Sequence, residues 1–268
     1  MNSLRGWGPR SRKSRESMLR QHAHSLSSMV GVRSPTPVYP WDYLRDHLTM
    51  GLTGPPLELH IIRHAESVAN ARRLVAGQSD VDLSLRGYMQ ALVLGLRLPR
   101  CDNAWVSSLG RTQRTLQVAQ TLRFQKISRL PICADPRLDE RALGDLEGAP
   151  NRFIAAYAIG DLTYAPKEGE SYLDLARRLL SFLVDLRRDI QRESRAVIAT
   201  HVGPMRLLVG IIEGLRDARS VLRLKFSNAE TYSCVLKDLT WPAFIQKEVL
   251  FERRRKKVGA TCETSDDW

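Results

Sequence analysis

Cysteine is scarce and unpatterned. The 268 residues hold four, Cys101, Cys133, Cys234 and Cys262, and none forms a CxxC pair. That spacing argues against a disulfide framework and a thiolate zinc site, and reduced thiols fit a cytoplasmic compartment. No apolar run approaches the roughly 18 residues of a membrane span, so no transmembrane helix is expected. Aromatic residues are 7% of the chain and do not interleave with basic ones as stacking platforms for nucleic acid do, which disfavours nucleic acid as a partner. Acids are nearly missing from the first 40 residues, where Glu16 stands alone among Arg and Ser. With no apolar h-region there, a secretory signal is disfavoured too.

Positive charge is what the chain has in excess. The formal net charge is +12, and residues 1–56 carry eight Lys/Arg against three acids. A second basic run, Arg253-Arg254-Arg255-Lys256-Lys257, lies near the other end. A basic domain suits an anionic substrate, and equally nucleic acid or an anionic membrane; both ends read first as solvated charge. The Arg- and Ser-rich start also has the composition of a mitochondrial transit peptide, so mitochondrial targeting, a plain disordered tail and an over-long start all stand.

Composition shifts divide the chain. Pro35, Pro37 and Pro40 punctuate a linker, and Gly54-Pro55-Pro56 marks entry to the folded part. Residues 1–56 therefore read as a basic, disordered extension, 57–251 as one folded domain, and 252–268 as a basic and polar tail. Within the domain, Leu57–Ile62 is a short apolar run, predicted as a buried strand. A helix is expected over Leu83–Leu98 with Ser84 as its N-cap. A strand at Ala104–Ser107 and a helix over Arg111–Phe124 follow. Ser171–Ile190 reads as a long amphipathic helix, Ala196–Thr200 as a third strand, and Gly203–Glu213 as a helix. Leu222–Phe226 and Thr231–Lys237 read as two last strands. Strands alternating with helices predict an α/β three-layer sandwich, a mainly parallel sheet with helices on both faces.

Ligands of such sheets gather outside the carboxyl ends of the strands. Three of the expected strands end in Arg63-His64, in Ser107-Ser108 and in His201. Beyond residue 56 the only histidines are His60, His64 and His201; His60 lies inside its strand and reads as a core or face histidine. Phosphoryl transfer to an imidazole needs a neutral nitrogen, fixed cations for the charge spread over the phosphate oxygens, and a carboxyl group to protonate the leaving oxygen and later activate water. Candidates exist for each role: His64; Arg63, Arg111 and His201; Glu140. Taken singly, each has an ordinary explanation. Arg63 and Arg111 could pair at the surface, Glu140 could be solvated, and Glu66 and Asn70 could cap or turn the chain. Arg178 and Glu170 read as helix-face charges and stay outside the catalytic set.

The order of motifs is more specific than any one residue. Arg63-His64-Ala65-Glu66-Ser67 with Asn70 resembles the R-H-G-E-S-x-x-N signature of the histidine phosphatase superfamily, the phosphoglycerate mutase-like proteins. Gly77 to Ser84 with Gly87, Gln90 and Ala91, then Ser108-Leu109-Gly110-Arg111-Thr112 with Thr115, resemble its next two segments. Leu138-Asp139-Glu140 with Gly144 and Glu147-Gly148 resembles the acid segment. Gly169-Glu170-Ser171 with Arg178 resembles its GES helix start, and Ile198 to Arg206 its V-x-S-H-G-G-x-x-R block. The resemblance runs from about Leu57 to about Lys237. It implies His64 as nucleophile, Glu140 as proton donor, and Arg63, Arg111 and His201 around the phosphate, with Asn70 and Gln78 beside them among the substrate contacts. It also implies no metal and no organic cofactor. Ala65, Thr200 and Val202 depart from the usual Gly, Ser and Gly without removing a charge, and Val202 is expected to narrow the pocket.

Between the acid segment and the GES helix lie only Ala149 to Glu168, with Arg152 and Lys167 as cations. Mutases that the chain resembles carry a longer, Lys/Arg-rich insertion there. The expected activity is therefore hydrolysis of a phosphomonoester through a phosphohistidine on His64. Phosphoglycerate mutase-type transfer is the alternative, and a silent phospholigand-binding module the alternative of another class. The expected substrate is a phosphorylated small molecule, with a phosphoprotein as the other kind; Gln78, Arg72, Arg73 and the 149–168 segment would choose it. A homo-oligomer is compatible with the pattern.

Overall fold

The computed structural model describes residues 54–121, 131–151, 162–190, 192–215 and 218–236. Residues 1–53 of the predicted extension, the end of the predicted domain from 237 to 251, the whole predicted tail 252–268 and the segment containing Arg152 lie outside the described residues. In chain order the elements are β1 (Leu57–Arg63), α1 (Val68–Ala71), α2 (Leu85–Arg97), β2 (Asn103–Val106), α3 (Gly110–Thr121), β3 (Ile132–Ala134), two 3₁₀ turns (Pro136–Leu138 and Gly144–Leu146), α4 (Tyr172–Asp189), β4 (Ser194–Thr200), α5 (Val202–Glu213), α6 (Ala218–Leu222) and β5 (Thr231–Leu236).

The five strands form one sheet in the order β3-β2-β4-β1-β5. Only β5 runs antiparallel, against β1; the other pairings are parallel. Side chains of β1 alternate between two apolar clusters. Leu57, Leu59 and Ile61 join Leu175, Leu179, Phe182 and Leu183 of α4 and Met205, Leu208 and Ile212 of α5. Ile62 points the other way, to Leu94 of α2 and Leu116 and Ala119 of α3. This is the expected sheet covered on both faces, a period of two meeting helical stripes on either side.

Local sequence explains the helix starts. Ser84 accepts a hydrogen bond from the Gly87 amide. Ser171 and Asp174 form a reciprocal capping box at α4. Three elements differ from the sequence reading. Leu222–Phe226 is no strand: Leu222 ends α6, and the residues after it run as an unpaired connection. Leu222, Leu224 and Phe226 are buried while Arg223 and Lys225 are exposed, which produces the period-two pattern of a strand. Its carbonyls are taken by arginines instead of a ladder, Leu224 O by Arg206 Nε at 2.7 Å and Phe226 O by Arg63 Nη1 at 2.6 Å. The edge strand β3 is only three residues long and mostly exposed, too short to show a period. The four-residue helix α1 is likewise below that limit.

Candidate active site

Register brings the site residues level. Arg63 pairs with Thr200 and Val106 with Ala199, so the next residues, His64, His201 and Ser107, leave the carboxyl ends of three adjacent strands side by side. The His64 amide donates to Thr200 O at 2.9 Å and the Ser107 amide to Ala199 O at 3.1 Å, which ties these exits together. The imidazole centroids of His64 and His201 are 5.1 Å apart.

His64 is buried, and its Nδ1 lies 2.7 Å from Ala65 O. A carbonyl only accepts, so Nδ1 carries the proton and the lone pair is on Nε2, which no hydrogen bond among the described residues occupies. Burial, then the positive charges of Arg111 and Arg63, hold the His64 pKa well below the ordinary histidine range. The ring is therefore neutral at physiological pH. The loop after it is braced by Asn228, whose Nδ2 donates to His64 O at 3.1 Å and to Asn70 Oδ1 at 3.2 Å. The Ala65 amide donates to Thr115 Oγ1 at 3.0 Å.

Two arginines flank the ring. Arg111 is 1% exposed. It donates through Nη1 to Ser79 O at 2.9 Å, through Nη2 to Gly77 O at 2.6 Å, and through Nε to His201 Nδ1 at 3.2 Å. A guanidinium has five N–H donors, so two stay available. Burial lowers the Arg111 pKa, opposed by Glu140, Glu147 and Asp139. Arg63 is pulled down to about 10, chiefly by burial, and its Nε is a buried donor with no hydrogen-bond partner among the described residues. Both stay cationic at neutral pH. An unpaired buried donor is costly, and an anion can satisfy it. The turn that receives Arg111 depends on Gly77, at φ 53°, where a Cβ would come within 2.1 Å of Glu147 Oε1. Glu147 in turn accepts from the Gln78 amide at 2.9 Å and from Ser79 Oγ at 2.5 Å.

Glu140 sits at the start of α5. Its Oε2 lies 3.5 Å from the Gly203 amide and its Oε1 accepts from the Arg141 amide at 2.9 Å. The first amides of a helix have no partner within it, so the helix start holds this carboxylate. Its main chain is clamped as well. Gln78 Nε2 and Arg178 Nη2 donate to Glu140 O at 3.0 and 3.1 Å, and Arg178 is paired with Glu170 at 2.7 Å. Arg178 and Glu170 are thus more than helix-face charges: they brace the acid segment.

The structure therefore brings His64, Arg63, Arg111, His201 and Glu140 to one end of the sheet. Asn70 and Gln78 stand at its edge, Asn70 as the N3 partner of the N-cap Ser67 in the capping box of α1 and Gln78 as the bridge to Glu140. His60 is elsewhere, bonded through Nδ1 to Ser233 of β5 at 2.8 Å. Of the departures, Thr200 keeps a hydroxyl that donates to Leu138 O at 2.6 Å, and Val202 is the half-buried first residue of α5. Ser107, Asp139 and Asn228 were missed by sequence reasoning. The strand-end pair Ser107-Ser108 was the one available signal; an Asn two residues into a turn carries none. Among the described residues no group of three or more His, Cys, Asp or Glu could hold a metal ion.

Buried permanent cations stand around a neutral imidazole at the carboxyl ends of a mainly parallel sheet, an arrangement suited to an anion. The chain belongs to the histidine phosphatase superfamily (branch 1), whose match spans residues 59–242. It is 33% identical over 175 residues to the 2,3-bisphosphoglycerate-dependent phosphoglycerate mutase of Methylobacterium radiotolerans, covering 60% of this chain and 81% of the relative. Among solved structures, it resembles a mycobacterial glucosyl-3-phosphoglycerate phosphatase in complex with VO3, at 28% identity and TM-score 0.54, over 66% of this chain and 90% of the other. It also resembles the alpha-ribazole phosphatase of Shigella flexneri, at 26% identity and TM-score 0.55, over 66% and 89%. No described helix is long and apolar enough to cross a membrane.

Proposed function

We propose that this protein hydrolyses a phosphomonoester of a small molecule through a phosphohistidine on His64. The observation that carries the reading is the tautomer of His64: Nδ1–H is held by Ala65 O at 2.7 Å, so the Nε2 lone pair is the free nucleophile, and the charge of Arg63 acts on the same ring. Nε2 attacks phosphorus as the ester P–O bond breaks. Arg63 and Arg111 take up the charge on the equatorial oxygens, and Glu140 protonates the leaving oxygen. Water then attacks the phosphohistidine, gives its proton to Glu140, and releases phosphate with His64 restored. Every group needed is a side chain of this chain, which is why the reading includes no cofactor. The short 149–168 segment, with two cations, supports water over a second substrate as acceptor.

The names of the relatives support a second reading, phosphoglycerate mutase-type transfer. One experiment separates the two. Quenching the enzyme during turnover of a ³²P-labelled phosphomonoester should trap acid-labile, base-stable label that His64→Ala loses, and phosphate should appear in solution. Interconversion of 3- and 2-phosphoglycerate that outpaces phosphate release would establish the mutase. Label that persists in His64→Ala would remove His64 as nucleophile.

A further inference from the structure

Four buried side chains form a run of hydrogen bonds whose directions follow from what each group can do. Arg111 only donates, and its Nε faces His201 Nδ1 at 3.2 Å. The Asp139 carboxylate accepts from Ser107 Oγ at 2.7 Å, from the Ser108 amide at 2.7 Å and from Ser108 Oγ at 2.6 Å. Ser107 has one hydroxyl proton, and it goes to Asp139. Its oxygen therefore receives, from the Leu109 amide at 3.1 Å and from His201 Nε2 at 2.8 Å. His201 is then the Nε2–H tautomer, with its lone pair on Nδ1 toward Arg111. Exposure is 1% for Arg111, 0% for His201 and Ser107, and 8% for Asp139, so water does not compete for these bonds.

Resting on the reading that His64 accepts a phosphoryl group, we propose that Asp139 is a positioning residue: through Ser107 it locks His201 as the Nε2–H tautomer, and His201 thereby holds the Arg111 guanidinium facing His64. Both ring nitrogens of His201 are engaged in this arrangement. Its first task is to orient Arg111, whose two free N–H groups do the work on the anion. Without the Asp139 acceptor, the Ser107 hydroxyl is free to turn and donate to His201 Nε2. The ring can then carry its proton on Nδ1 in part of the population, where it opposes the Arg111 Nε–H, so a single tautomer is no longer enforced. Two donors facing each other in a buried site leave each unpaired, and the guanidinium rotates away.

The test uses the full chain with ¹⁵N-labelled histidine. Two-bond ¹H–¹⁵N correlations read the His201 tautomer without turnover, and kcat and KM are measured on p-nitrophenyl phosphate. Wild type should show Nε2–H. Asp139→Asn, whose amide oxygen still accepts from Ser107, should keep that tautomer and lose at most about threefold in kcat/KM. Asp139→Ala should give His201 a detectable Nδ1–H population beside Nε2–H and lose roughly tenfold or more. Should that variant fail to fold, Ser107→Ala, which leaves Asp139 bonded to Ser108, should lose the single tautomer with the same fall. An Nδ1–H His201 in wild type overturns the proposal. So does an activity loss in Asp139→Ala or Ser107→Ala with the tautomer unchanged, or a tautomer shift with wild-type kcat/KM. A wild type that never carries label on His64, yet shows the tautomer shift, sinks the phosphoryl-transfer reading and leaves the lock standing.

Discussion

Gly203→Ala isolates the general acid without touching its chemistry. Gly203 is the second residue of α5, and its amide is the helix-start donor that Glu140 uses. A Cβ placed there would sit 2.4 Å from Glu140 Oε1, against 3.6 Å from the nearest atom of Leu175. Ordinary contact begins near 3.4 Å, so the carboxylate must retreat by about 1 Å. It stands at the end of a flexible side chain and will move before the backbone does. The backbone of Gly203 has an ordinary φ, so alanine fits a helix there and should change stability by no more than about 1 kcal/mol, in the favourable direction. A misplacement of about 1 Å can cost on the order of 100-fold in rate, within the roughly 10²–10⁴-fold that a general acid supplies. The loss should depend on the leaving group. A sugar phosphate leaves as a poor alkoxide and needs the proton, whereas p-nitrophenolate leaves almost unaided. We expect kcat on a sugar phosphate to fall by roughly 30- to 100-fold, with kcat on p-nitrophenyl phosphate within a few-fold of wild type and Tm unchanged or raised. Glu140→Gln should show the same asymmetry, larger. Equal losses on the two substrates, or none on either, would refute Glu140 as proton donor and Gly203 as the space it needs.

Three further outcomes are expected. Burial and the neighbouring arginines depress His64 and His201, so the folded state binds fewer protons than the unfolded chain below the ordinary histidine pKa of about 6.5; their stabilising contribution is complete above that value and is lost as pH falls. Calorimetry should show Tm dropping between about pH 7.5 and 5.5, and kcat/KM should show no His64 inflection near 6.5; a Tm that rises on acidification would refute the neutral assignment. Hydrolysis should continue undiminished in excess EDTA, and a loss restored by Mg²⁺ or Zn²⁺ would contradict a site built from permanent cations. Removing residues 1–50 should leave kcat/KM within roughly tenfold of the full chain, with a larger fall at unchanged folding counting against their being dispensable.

That His64, Glu140, Arg63 and Arg111 belong together was legible from the chain alone, together with the sheet that carries them. Phosphoryl transfer needs a neutral imidazole, fixed cations and a carboxyl group, and few residue types meet those needs; apolar runs ending in Arg63-His64 and His201 betray strands because backbone periodicity is local. The N-caps Ser84 and Ser171 are local for the same reason. Leu222–Phe226 misled because alternating burial does not require a ladder, and an irregular segment whose carbonyls are taken by Arg63 and Arg206 shows the same alternation. What only the tertiary structure decided is which atom does what. The His64 tautomer depends on where Ala65 O lies, and the His201 tautomer on Asp139, 62 residues away in the chain, meeting Ser107 at 2.7 Å. Arg178 and Glu170 became braces only when α4 packed beside the acid segment, and Asn228 when the connection into β5 crossed the loop after His64. Hydrogen-bond direction is settled by contacts within about 3 Å, between residues that strand register and helix packing bring together from distant parts of the chain.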